Sequence, residues 1–456
     1  MVKEFIYNME YYIEQSKKTP VVASVDVLVA GGGPAGVGAA LAAAREGAHV
    51  MLIEKSGCLG GMATAGMMSH WTGNSTNPLQ IEIARRMHSM ASLPPLMNAG
   101  PFGGGEQMAT TLPDTDLRCC HEALKTALQE MLLEAGVRIQ LHTMAVSVIM
   151  DGRTVRGVVT ESKSGREAIR SKVIVDATGD GDVAAFAGAE FLLGREDDNG
   201  CQPVTTMFML GGVDYSKAIF PPGFESFVEI PKGEVQALGK SHLPAPAGHV
   251  LLYRNPLPGQ VCVNMTNVIG IDGTNVRDLT RAEIECRRQM EAIVCFLRDF
   301  VPGYEKCYLV SSADYVGVRE TRHFKGVYTL TAEDIVEAKV FDDWITTRNY
   351  FNFDIHSLKG PGLDENGAQR LFKAKGAYSI PYRACVPKEI DGLLLSGRNI
   401  SGTHKAHSNY RVMGICLAIG QGVGTAAAIA VQDGVRPRDV SVSKVQASLL
   451  AAGVSR

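Results

Sequence analysis

The fold is decided at Val25–Gly36, VDVLVAGGGPAG, where an apolar run typical of a buried strand ends in a cluster of glycines. An alanine-rich run follows at once and predicts a helix over 35–45. Gly31, Gly33 and Gly36 have the G-x-G-x-x-G spacing of a unit that binds a dinucleotide. In that unit the first glycine permits a tight turn, the second lets backbone approach a pyrophosphate, and the third brings the helix close to its strand.

A second apolar run, His49–Ile53, follows the helix and predicts the next strand. It ends at Glu54, about 20 residues beyond the glycines, where an acid accepts hydrogen bonds from ribose hydroxyls. The unpaired N–H groups and the dipole at the start of the helix favour the pyrophosphate. The competing interpretation is a glycine-rich turn that an acid follows by chance.

Composition limits the class of protein. The length of 456 residues favours two domains, and a net charge of −3 argues against a general binder of nucleic acid or of membrane surfaces. The ten cysteines form no C-x-x-C pair, so they predict no metal site: their spacing offers no zinc knuckle, thioredoxin-type motif or iron–sulfur ligation run. With no secretory signal, we expect reduced cysteines in a cytoplasmic protein. Residues 1–20 are charged and lack the apolar segment of an export signal, so we expect a peripheral helix there.

Two uncharged stretches, 27–44 and 412–432, are long enough to cross a membrane. Both are rich in glycine and alanine, and the first contains Pro34. Small residues at these spacings suit a helix that is buried against a sheet or a cofactor. We therefore expect no membrane insertion.

Loops and regular elements alternate from residue 55 to residue 177. A glycine-rich run over 55–66 leaves the end of the second strand, where its amides can wrap a ligand; a mobile surface loop is the alternative. The Pro/Gly-rich patch at 93–105 predicts a loop, and periodic leucines predict a helix over 120–135. Four strands are predicted, at 137–141, 145–150, 155–160 and 172–177. We expect the first three to form a meander and the fourth to be buried and parallel.

The fourth strand runs into Thr178-Gly179-Asp180-Gly181-Asp182, on the edge of the sheet where Gly31 is expected. Asp180 and Asp182 are candidate metal ligands. Two acids beside glycines are more typical of a turn and a helix N-cap, and we favour the cap.

Residues 194–383 differ in composition from the segments before them, with fewer alanine-rich helices and more proline and tyrosine. This change indicates an inserted domain. Arginine and histidine residues cluster at Gly317–His323, and Asp354 and His356 follow. These residue types suit recognition of a carboxylate, a phosphate or a polar sugar. An ion-paired strand is the alternative.

The last segment repeats the first pattern, with an apolar strand over 393–395 that runs into Gly397 and Arg398. A buried helix is predicted over 412–431, with Ser408 or Asn409 as its N-cap. Arg411 then falls in the first helical turn, against the preference of the dipole, which favours a functional role for it.

Together, these glycine-ended strands resemble the FAD-dependent oxidoreductases of the glutathione-reductase and fumarate-reductase-like flavoprotein superfamily. The likeness is greatest to the FAD-dependent oxidoreductase family that includes the flavin subunit of heterodisulfide reductase. The matching motifs are Gly31–Gly36, Glu54–Lys55, Leu59–Thr64, Asp176–Asp182, Gly317–Arg322, Ser396–Arg398 and Arg411–Gln421.

The resemblance implies an α/β fold. A Rossmann-like FAD-binding domain of the GR2 type, with its β-meander, would carry an inserted mixed α+β substrate domain. The implied division is a peripheral helix at 1–20, the FAD-binding domain at 21–193 and 383–456, and the substrate domain at 194–382.

The resemblance also implies FAD as the cofactor, bound non-covalently. The glycine loop would meet the pyrophosphate, Glu54 the ribose, the backbone of Val146 the adenine, and the helix from Val412 the flavin, whose anionic reduced form the helix dipole stabilises. The implied cofactor-binding residues are Gly31, Gly33, Pro34, Ala35, Gly36, Glu54, Lys55, Gly60, Gly61, Met62, Ala63, Thr64, Val146, Ala177, Thr178, Gly179, Gly397, Arg398, Val412 and Met413.

The chain departs from these relatives in two ways. It lacks the cluster cysteines of the heterodisulfide subunit, and it lacks the second glycine motif of an NAD(P)H domain. His70 is the candidate for covalent flavin attachment, and Cys58 is expected to be a packed thiol rather than a redox group.

The leading hypothesis is hydride transfer between flavin N5 and a small polar substrate, either a hydroxy acid, a polyol or sugar, or an activated alkene. The candidate catalytic residues are His404, His407, Arg411, Arg319, Arg322 and His356. His404 is the first choice of acid or base because histidine exchanges protons near neutral pH. A structural role is the alternative for each of the six.

Two further hypotheses remain open. The protein is an electron-transfer flavoprotein subunit with a separate redox partner, or it binds a nucleotide without redox chemistry. The sequence leaves open the substrate, the direction of reaction, the electron donor or acceptor, and whether the chain forms a homo-oligomer.

Overall fold

The computed structural model describes residues 12–74, 76–92, 117–223, 225–365 and 374–456. Its largest sheet has seven strands: six follow the order β3-β2-β1-β6-β5-β4, and the seventh, β17, pairs with β6 off that path. These strands are β1 (Val21–Ala30), β2 (Val50–Ile53), β3 (Arg138–Gln140), β4 (Met144–Asp151), β5 (Thr154–Ser162), β6 (Gly165–Asp176) and β17 (Leu393–Leu395).

β6 joins the two halves of this sheet. Its carboxyl half is parallel to both β1 and β17, and Ala30 and Leu395 both pair with Asp176. Its amino half is antiparallel to β5, which is antiparallel to β4. The parallel core of the predicted α/β fold is therefore confirmed.

The meander lies one strand further along the chain than predicted. The segment predicted as its first strand contains β3, which is parallel to β2 at the edge of the sheet. A helix precedes β3, and such a crossover connects parallel strands. The meander consists of β4, β5 and the amino half of β6.

The helix that follows β1 packs closely on the long apolar helix near the end of the chain. A Cβ atom on Gly424 would lie 2.1 Å from the carbonyl oxygen of Ala39, so only hydrogen fits between the two backbones. The described α-helices are α1 (Pro34–Arg45), α2 (Pro78–Met90), α3 (His121–Glu134), α4 (Asp182–Phe186), α5 (Val235–His242), α6 (Val276–Phe300), α7 (Ala332–Val336), α8 (His404–Tyr410), α9 (Met413–Asp433) and α10 (Val442–Ala451).

Among the described helices, α9 alone is long and apolar enough to cross a membrane by length and composition. Its apolar window is 94% buried inside the protein. The expectation that this stretch is buried against the sheet is confirmed.

A second sheet has the order β11-β12-β8-β13 and a core of its own, in which Phe208 and Val261 pack with Ile293 and Leu297 of α6. The remaining strands are β7 (Phe191–Leu193), β8 (Phe208–Gly211), β9 (Glu229–Ile230), β10 (Gly233–Glu234), β11 (Leu252–Arg254), β12 (Val261–Val263), β13 (Tyr308–Ser312), β14 (Arg322–Phe324), β15 (Trp344–Asn349) and β16 (Tyr378–Pro381). β14 pairs with β7, and Phe324, Tyr378 and Ile380 pack into the core of the first sheet.

Residues 12–19 have no helix, and the rest of the predicted N-terminal helix lies outside the described residues. The patch at 93–105 also lies outside them. Helix α2 was not predicted, although Asn77 caps it by accepting the N–H of Gln80 and Pro78 occupies its first turn.

Candidate active site

Four parallel strands end side by side at one edge of the first sheet. Ala30 pairs with both Ile53 and Asp176, and Leu395 also pairs with Asp176. The loops that follow these strands begin at Gly31, Glu54, Ala177 and Ser396. Ligands of open parallel sheets bind at this carboxyl edge.

The glycine loop after β1 is closed on the protein side and open on the other. Gly31 has a φ of +100°, and a Cβ atom there would lie 2.3 Å from the carbonyl oxygen of Ala177. A Cβ atom on Gly36 would lie 1.8 Å from the carbonyl oxygen of Gly31. By contrast, a Cβ atom added to Gly33 would have no heavy atom within 4 Å. Gly33 is also the N-cap of α1, which has no side-chain cap, so the first amides of α1 face open space. This geometry fits a pyrophosphate.

Glu54 is buried at the end of β2, with 7% of its surface exposed. Its Oε2 accepts the N–H of Gly32 at 2.6 Å, and its Oε1 accepts the N–H of Ser56 at 2.8 Å. Each carboxylate oxygen has a second lone pair, which fits hydrogen bonds from ribose hydroxyls. The neighbouring Lys55 lies instead over the ring of Tyr315.

Val146 lies at an irregularity of β4. The register with β5 shifts between Ala145 and Ser147, so Val146 has no partner in the ladder. A bulge of this kind leaves backbone groups available to a ligand. Thr143 donates its N–H to the carbonyl oxygen of Glu54, so β4 begins beside Glu54.

The glycine-rich run after β2 packs on the glycine loop. Gly60 donates its N–H to the carbonyl oxygen of Gly32 at 2.7 Å, and a 3-10 turn follows over Gly61–Ala63. A Cβ on Gly61 would lie 2.9 Å from the Cα of Gly33. Thr64 closes the turn by donating its hydroxyl to the carbonyl oxygen of Leu59 at 2.5 Å.

Cys58 and His70, the predicted packed thiol and the candidate for covalent flavin attachment, both contact neighbouring side chains. Cys58 is half-buried, with its Sγ 4.0 Å from the hydroxyl of Thr64. His70 is buried, shares a 2.6 Å hydrogen bond with the hydroxyl of Ser69 and packs on the ring of Tyr253. These contacts account for both side chains as packed groups.

The turn after β6 is held by ion pairs. Arg398 donates to Asp180 at 2.9 Å, and Arg322 donates to Asp182 at 2.9 Å. Neither carboxylate caps α4, whose N-cap is Gly181 and has no side-chain hydrogen bond. The prediction of a cap was therefore wrong: both acids pair with arginines, and the carboxylate of Asp176 accepts the N–H of Ala184 in the first turn of α4.

Two predictions about the start of the apolar C-terminal helix were also wrong. Ser408 and Asn409 lie inside the separate helix α8, and Val412 is the N-cap of α9. Arg411 is the C-cap of α8, where the dipole favours a cation. Its place in the chain therefore does not by itself indicate a function.

Arg411 and Arg319 lie together in a buried cluster with Asp354 and His356. Arg411 donates to a carboxylate oxygen of Asp354 at 2.8 Å, and Asp354 lies 3.3 Å from Nε2 of His356. Arg319 donates to two neutral oxygens, the carbonyl of Pro203 at 2.6 Å and the hydroxyl of Thr205 at 2.8 Å. Nε of Arg411 is buried and has no hydrogen-bond partner among the described residues.

The cluster has a surplus of positive charge. Burial, and then the charge of Arg411, lower the pKa of Arg319 to about 10, so both arginines are charged at neutral pH. Burial alone would raise the pKa of Asp354, yet the contact with the ring nitrogen of His356 and the charge of Arg411 hold it below its usual range. Burial lowers the pKa of His356 to about 4, so this imidazole is neutral. The described residues of this cluster thus include two cations and one carboxylate, and Arg411 is the cation bonded to it.

A second buried cluster lies between α8 and the segment before β14. Glu320 accepts Nδ1–H of His404 at 2.6 Å and Nε2–H of His323 at 2.8 Å. The ring of His407 stands edge-on to that of His323, with 4.7 Å between centroids. Burial lowers the pKa of His407 well below its ordinary value. Glu320 was not predicted as a functional residue, because nothing in the local sequence indicates that it meets a histidine 84 residues away.

Of the six candidate catalytic residues, the structure brings three into one cluster and two into the other. Arg322 lies apart, bonded to Asp182 and stacked over Phe191. The segment that carries Arg319 also reaches the glycine-rich run after β2: a Cβ on Gly317 would lie 2.8 Å from the side chain of Met62. This segment therefore packs against the turn at Gly61–Ala63.

A cleft of about 520 Å³ opens elsewhere, around Asp26, His49 and Lys172. Asp26 lies on β1 five positions before Gly31, so the cleft is roughly 16 Å from the glycine loop at about 3.3 Å per residue. It has none of the amide-lined turns described above.

A family model described as FAD dependent oxidoreductase matches residues 26–449, nearly the whole chain. The chain is 23% identical over 253 residues to the digeranylgeranylglycerophospholipid reductase of Methanosphaerula palustris. The alignment covers 53% of this chain and 59% of that relative, so the chain spans less than two thirds of the relative's length.

Two solved structures are similar at low identity. One is a geranylgeranyl bacteriochlorophyll reductase-like protein from Thermoplasma acidophilum, with 14% identity, a TM-score of 0.49, and coverage of 93% of this chain and 82% of that one. The other is p-nitrophenol 4-monooxygenase from Pseudomonas putida, with 12% identity, a TM-score of 0.48, and coverage of 94% and 84%.

Proposed function

The chain belongs to the family of FAD dependent oxidoreductases, and on that premise we propose that it oxidises a small hydroxy acid, or reduces the corresponding keto acid. When bound, FAD supplies hydride-transfer chemistry at its N5 atom. The residues proposed to hold it are those of the glycine loop, Glu54, the bulge at Val146, the turn at Gly60–Thr64 and the start of α9.

The observation that carries the proposal is the buried pair of arginines. Arg411 is bonded to Asp354, whereas the described hydrogen bonds of Arg319 go to two neutral oxygens, and Nε of Arg411 is a buried donor with no described partner. A buried charge or donor left unpaired is costly, so this arrangement favours a ligand that brings a negative group. A substrate carboxylate meets that need, whereas a neutral sugar does not.

His404 is proposed as the group that exchanges the hydroxyl proton. It lies at the start of α8, and Nδ1 is engaged by Glu320. Its Nε2 makes no hydrogen bond to another described residue, which leaves that atom for a substrate hydroxyl. A positioned histidine typically contributes about 10²–10⁴-fold to the rate of such a step.

A second candidate is the reduction of an activated alkene that carries a carboxylate. It is favoured because a curated relative is named a reductase. An electron-transfer subunit with a separate redox partner is the outcome if no small molecule reacts with the protein alone.

We also propose the finer organisation implied by the motifs. A GR2-type FAD-binding domain at 21–193 and 383–456 would enclose a substrate domain at 194–382, after a peripheral segment at 1–20. The second sheet, with α6 and its separate core, supports a domain within 194–382. The relation to the heterodisulfide reductase flavin subunit rests on the motifs, and a cytoplasmic location rests on the ten free cysteines.

The test is an anaerobic screen that follows the yellow absorbance of the purified holoprotein. Hydroxy acids, their neutral amides, sugars and enoates are mixed with the oxidised and the dithionite-reduced protein. We expect a hydroxy acid to bleach the flavin, and its amide to do so at least about tenfold more slowly, because the amide has no charge to pair with the arginines. Equal bleaching by acid and amide would contradict the proposal.

Arg411→Lys is the matching variant, since lysine retains the charge and removes Nε. Charged hydrogen bonds contribute about 1.5–3 kcal/mol, so the apparent dissociation constant of the hydroxy acid should rise about 10–100-fold. Arg383→Lys is the control, because Arg383 forms an equivalent pair with Asp343 on the surface.

A further inference from the structure

Glu320 is buried between histidines from two distant parts of the chain. One oxygen, Oε1, accepts both Nδ1–H of His404 and Nε2–H of His323, at 2.6 and 2.8 Å. The other, Oε2, accepts the backbone N–H of Gln202 at 3.0 Å. Its side chain has no exposed surface.

This set of bonds determines where the protons lie on His404. A carboxylate is only an acceptor, so the ring nitrogen that faces it must carry hydrogen. Nδ1 of His404 is therefore protonated, and in the neutral ring Nε2 bears the lone pair. The hydrogen bonds from both histidines hold the pKa of Glu320 below its usual range, against the effect of burial, so the carboxylate is ionised.

Glu320, His323 and His407 also have metal-ligand chemistry, with ligand atoms within 4.8 Å of one another. A metal needs deprotonated nitrogens. Nε2 of His323 donates to Glu320, so this nitrogen carries a proton, and the carboxylate has bonds on both oxygens. In this arrangement Glu320 and His323 are bonded to each other rather than offering two bare ligand atoms.

We infer that Glu320 is a positioning residue that fixes His404 as the Nδ1–H tautomer and so presents Nε2 as the proton acceptor. The inference rests on the proposed function, in which His404 exchanges the substrate hydroxyl proton. Glu320 also offsets the charge of the imidazolium that forms when Nε2 takes that proton. Glu320 itself touches no substrate.

Glu320→Gln is the decisive variant because an amide cannot replace both acceptors. With its oxygen toward the histidines, its NH₂ group faces the N–H of Gln202. With the amide turned, its NH₂ group faces both imidazole N–H groups, and His404 must move its proton to Nε2. The first arrangement leaves a buried donor opposite a donor, whereas the second is satisfied once the imidazoles have changed tautomer, so we expect the second.

The first measurement is independent of any substrate. Nitrogen-15 NMR of histidine-labelled holoprotein distinguishes protonated from bare ring nitrogens, and His404→Gln identifies the His404 signals among 11 histidines. We expect the Nδ1–H tautomer in the wild type and a shift toward Nε2–H in Glu320→Gln. An Nε2–H tautomer in the wild type, or no change in the variant, would overturn the inference.

Glu283→Gln is the matched control. Glu283 is a carboxylate that accepts the backbone N–H of Val316, in the same segment as Glu320, and it touches no histidine. The His404 signals should not change in it. Stoichiometric metal in the purified holoprotein would also overturn the inference.

The second measurement uses a donor found by the bleaching screen. Glu320→Gln should slow bleaching about 100-fold and shift the pH profile of the bleaching rate, while the flavin spectrum stays unchanged. Glu320→Asp should restore part of the lost rate. Bleaching with an unchanged rate and pH profile in Glu320→Gln would contradict the inference. If no donor bleaches the wild type, the proposed function fails, while the NMR result still decides the tautomer.

Discussion

The Glu54 side chain has a structural role in the glycine loop and a proposed role in binding the cofactor. It accepts the N–H groups of Gly32 and Ser56, and it is proposed to accept ribose hydroxyls as well. The same carboxylate therefore shapes the glycine loop and is proposed to bind the cofactor.

We predict that Glu54→Gln weakens FAD binding about 10–100-fold, because charged hydrogen bonds contribute about 1.5–3 kcal/mol. Flavin fluorescence during reconstitution of the apoprotein measures the dissociation constant. Glu82→Gln, which removes an exposed partner of Arg45, is the control. Equal affinity in Glu54→Gln and the wild type would show that the acid does not contact the cofactor.

His249 makes stability depend on pH. It is buried, donates Nε2–H to the carbonyl oxygen of Asn264 at 2.9 Å, and burial lowers its pKa to about 3. Below its ordinary pKa of about 6.5 the unfolded chain takes up a proton that the folded chain does not. The free energy of unfolding therefore falls as the pH falls through this range.

From this histidine alone we predict a loss of about 2 kcal/mol between pH 7 and pH 5. In His249→Gln that part of the loss should disappear, as measured by urea unfolding at both pH values. His49→Gln, at an exposed position, should leave the loss unchanged. A loss in His249→Gln as large as in the wild type would contradict the assignment.

At the scale of elements, the packing of α1 on α9 aligns the start of α1 with the cleft. A Cβ on Gly420 would lie 2.0 Å from the carbonyl oxygen of Ala35, and one on Gly424 would lie 2.1 Å from that of Ala39. Backbone atoms cannot move aside as a side chain does. A methyl group at either position must separate the two helices.

Gly424→Ala should lower the free energy of unfolding by about 1–3 kcal/mol and reduce the flavin content of the purified protein. Chemical denaturation and absorbance measure the two effects. Gly360→Ala is the control because its Cβ would meet no atom within 4 Å; its effect should stay within about 0.5 kcal/mol. If both variants are equally stable, the helices are not in close contact.

Elements also show what the sequence can and cannot predict. The strand–glycine–helix pattern at Val25–Gly36 is local, so the element types there and the sheet edge were predictable. The break between α8 and α9 has no glycine or proline, only a change to extended backbone at Val412, so the predicted N-cap was wrong. The pairs Glu320–His404 and Arg411–Asp354 join residues 84 and 57 positions apart, and no local pattern encodes such contacts.

At the scale of the whole molecule, the proposed cofactor contacts come from both ends of the chain, from the glycine loop to the start of α9. Ligand binding to the folded state alone stabilises it by about 4 kcal/mol when the free ligand exceeds its dissociation constant 1,000-fold. We predict that FAD raises the thermal midpoint of the apoprotein in one transition of the whole chain. Calorimetry of the apo and holo forms measures it, and an unchanged midpoint would contradict shared contacts.

The central claim is that the cleft at the carboxyl edge of the first sheet holds FAD with its flavin toward Arg411 and His404. The most direct measurement is the electron density of crystals grown from the yellow protein. We predict the pyrophosphate at the amides of Gly33–Gly36, a ribose on Glu54, and the flavin between the turn at Gly60–Thr64 and the start of α9. Density for FAD at another place, or for a nicotinamide nucleotide in this cleft, would contradict the claim.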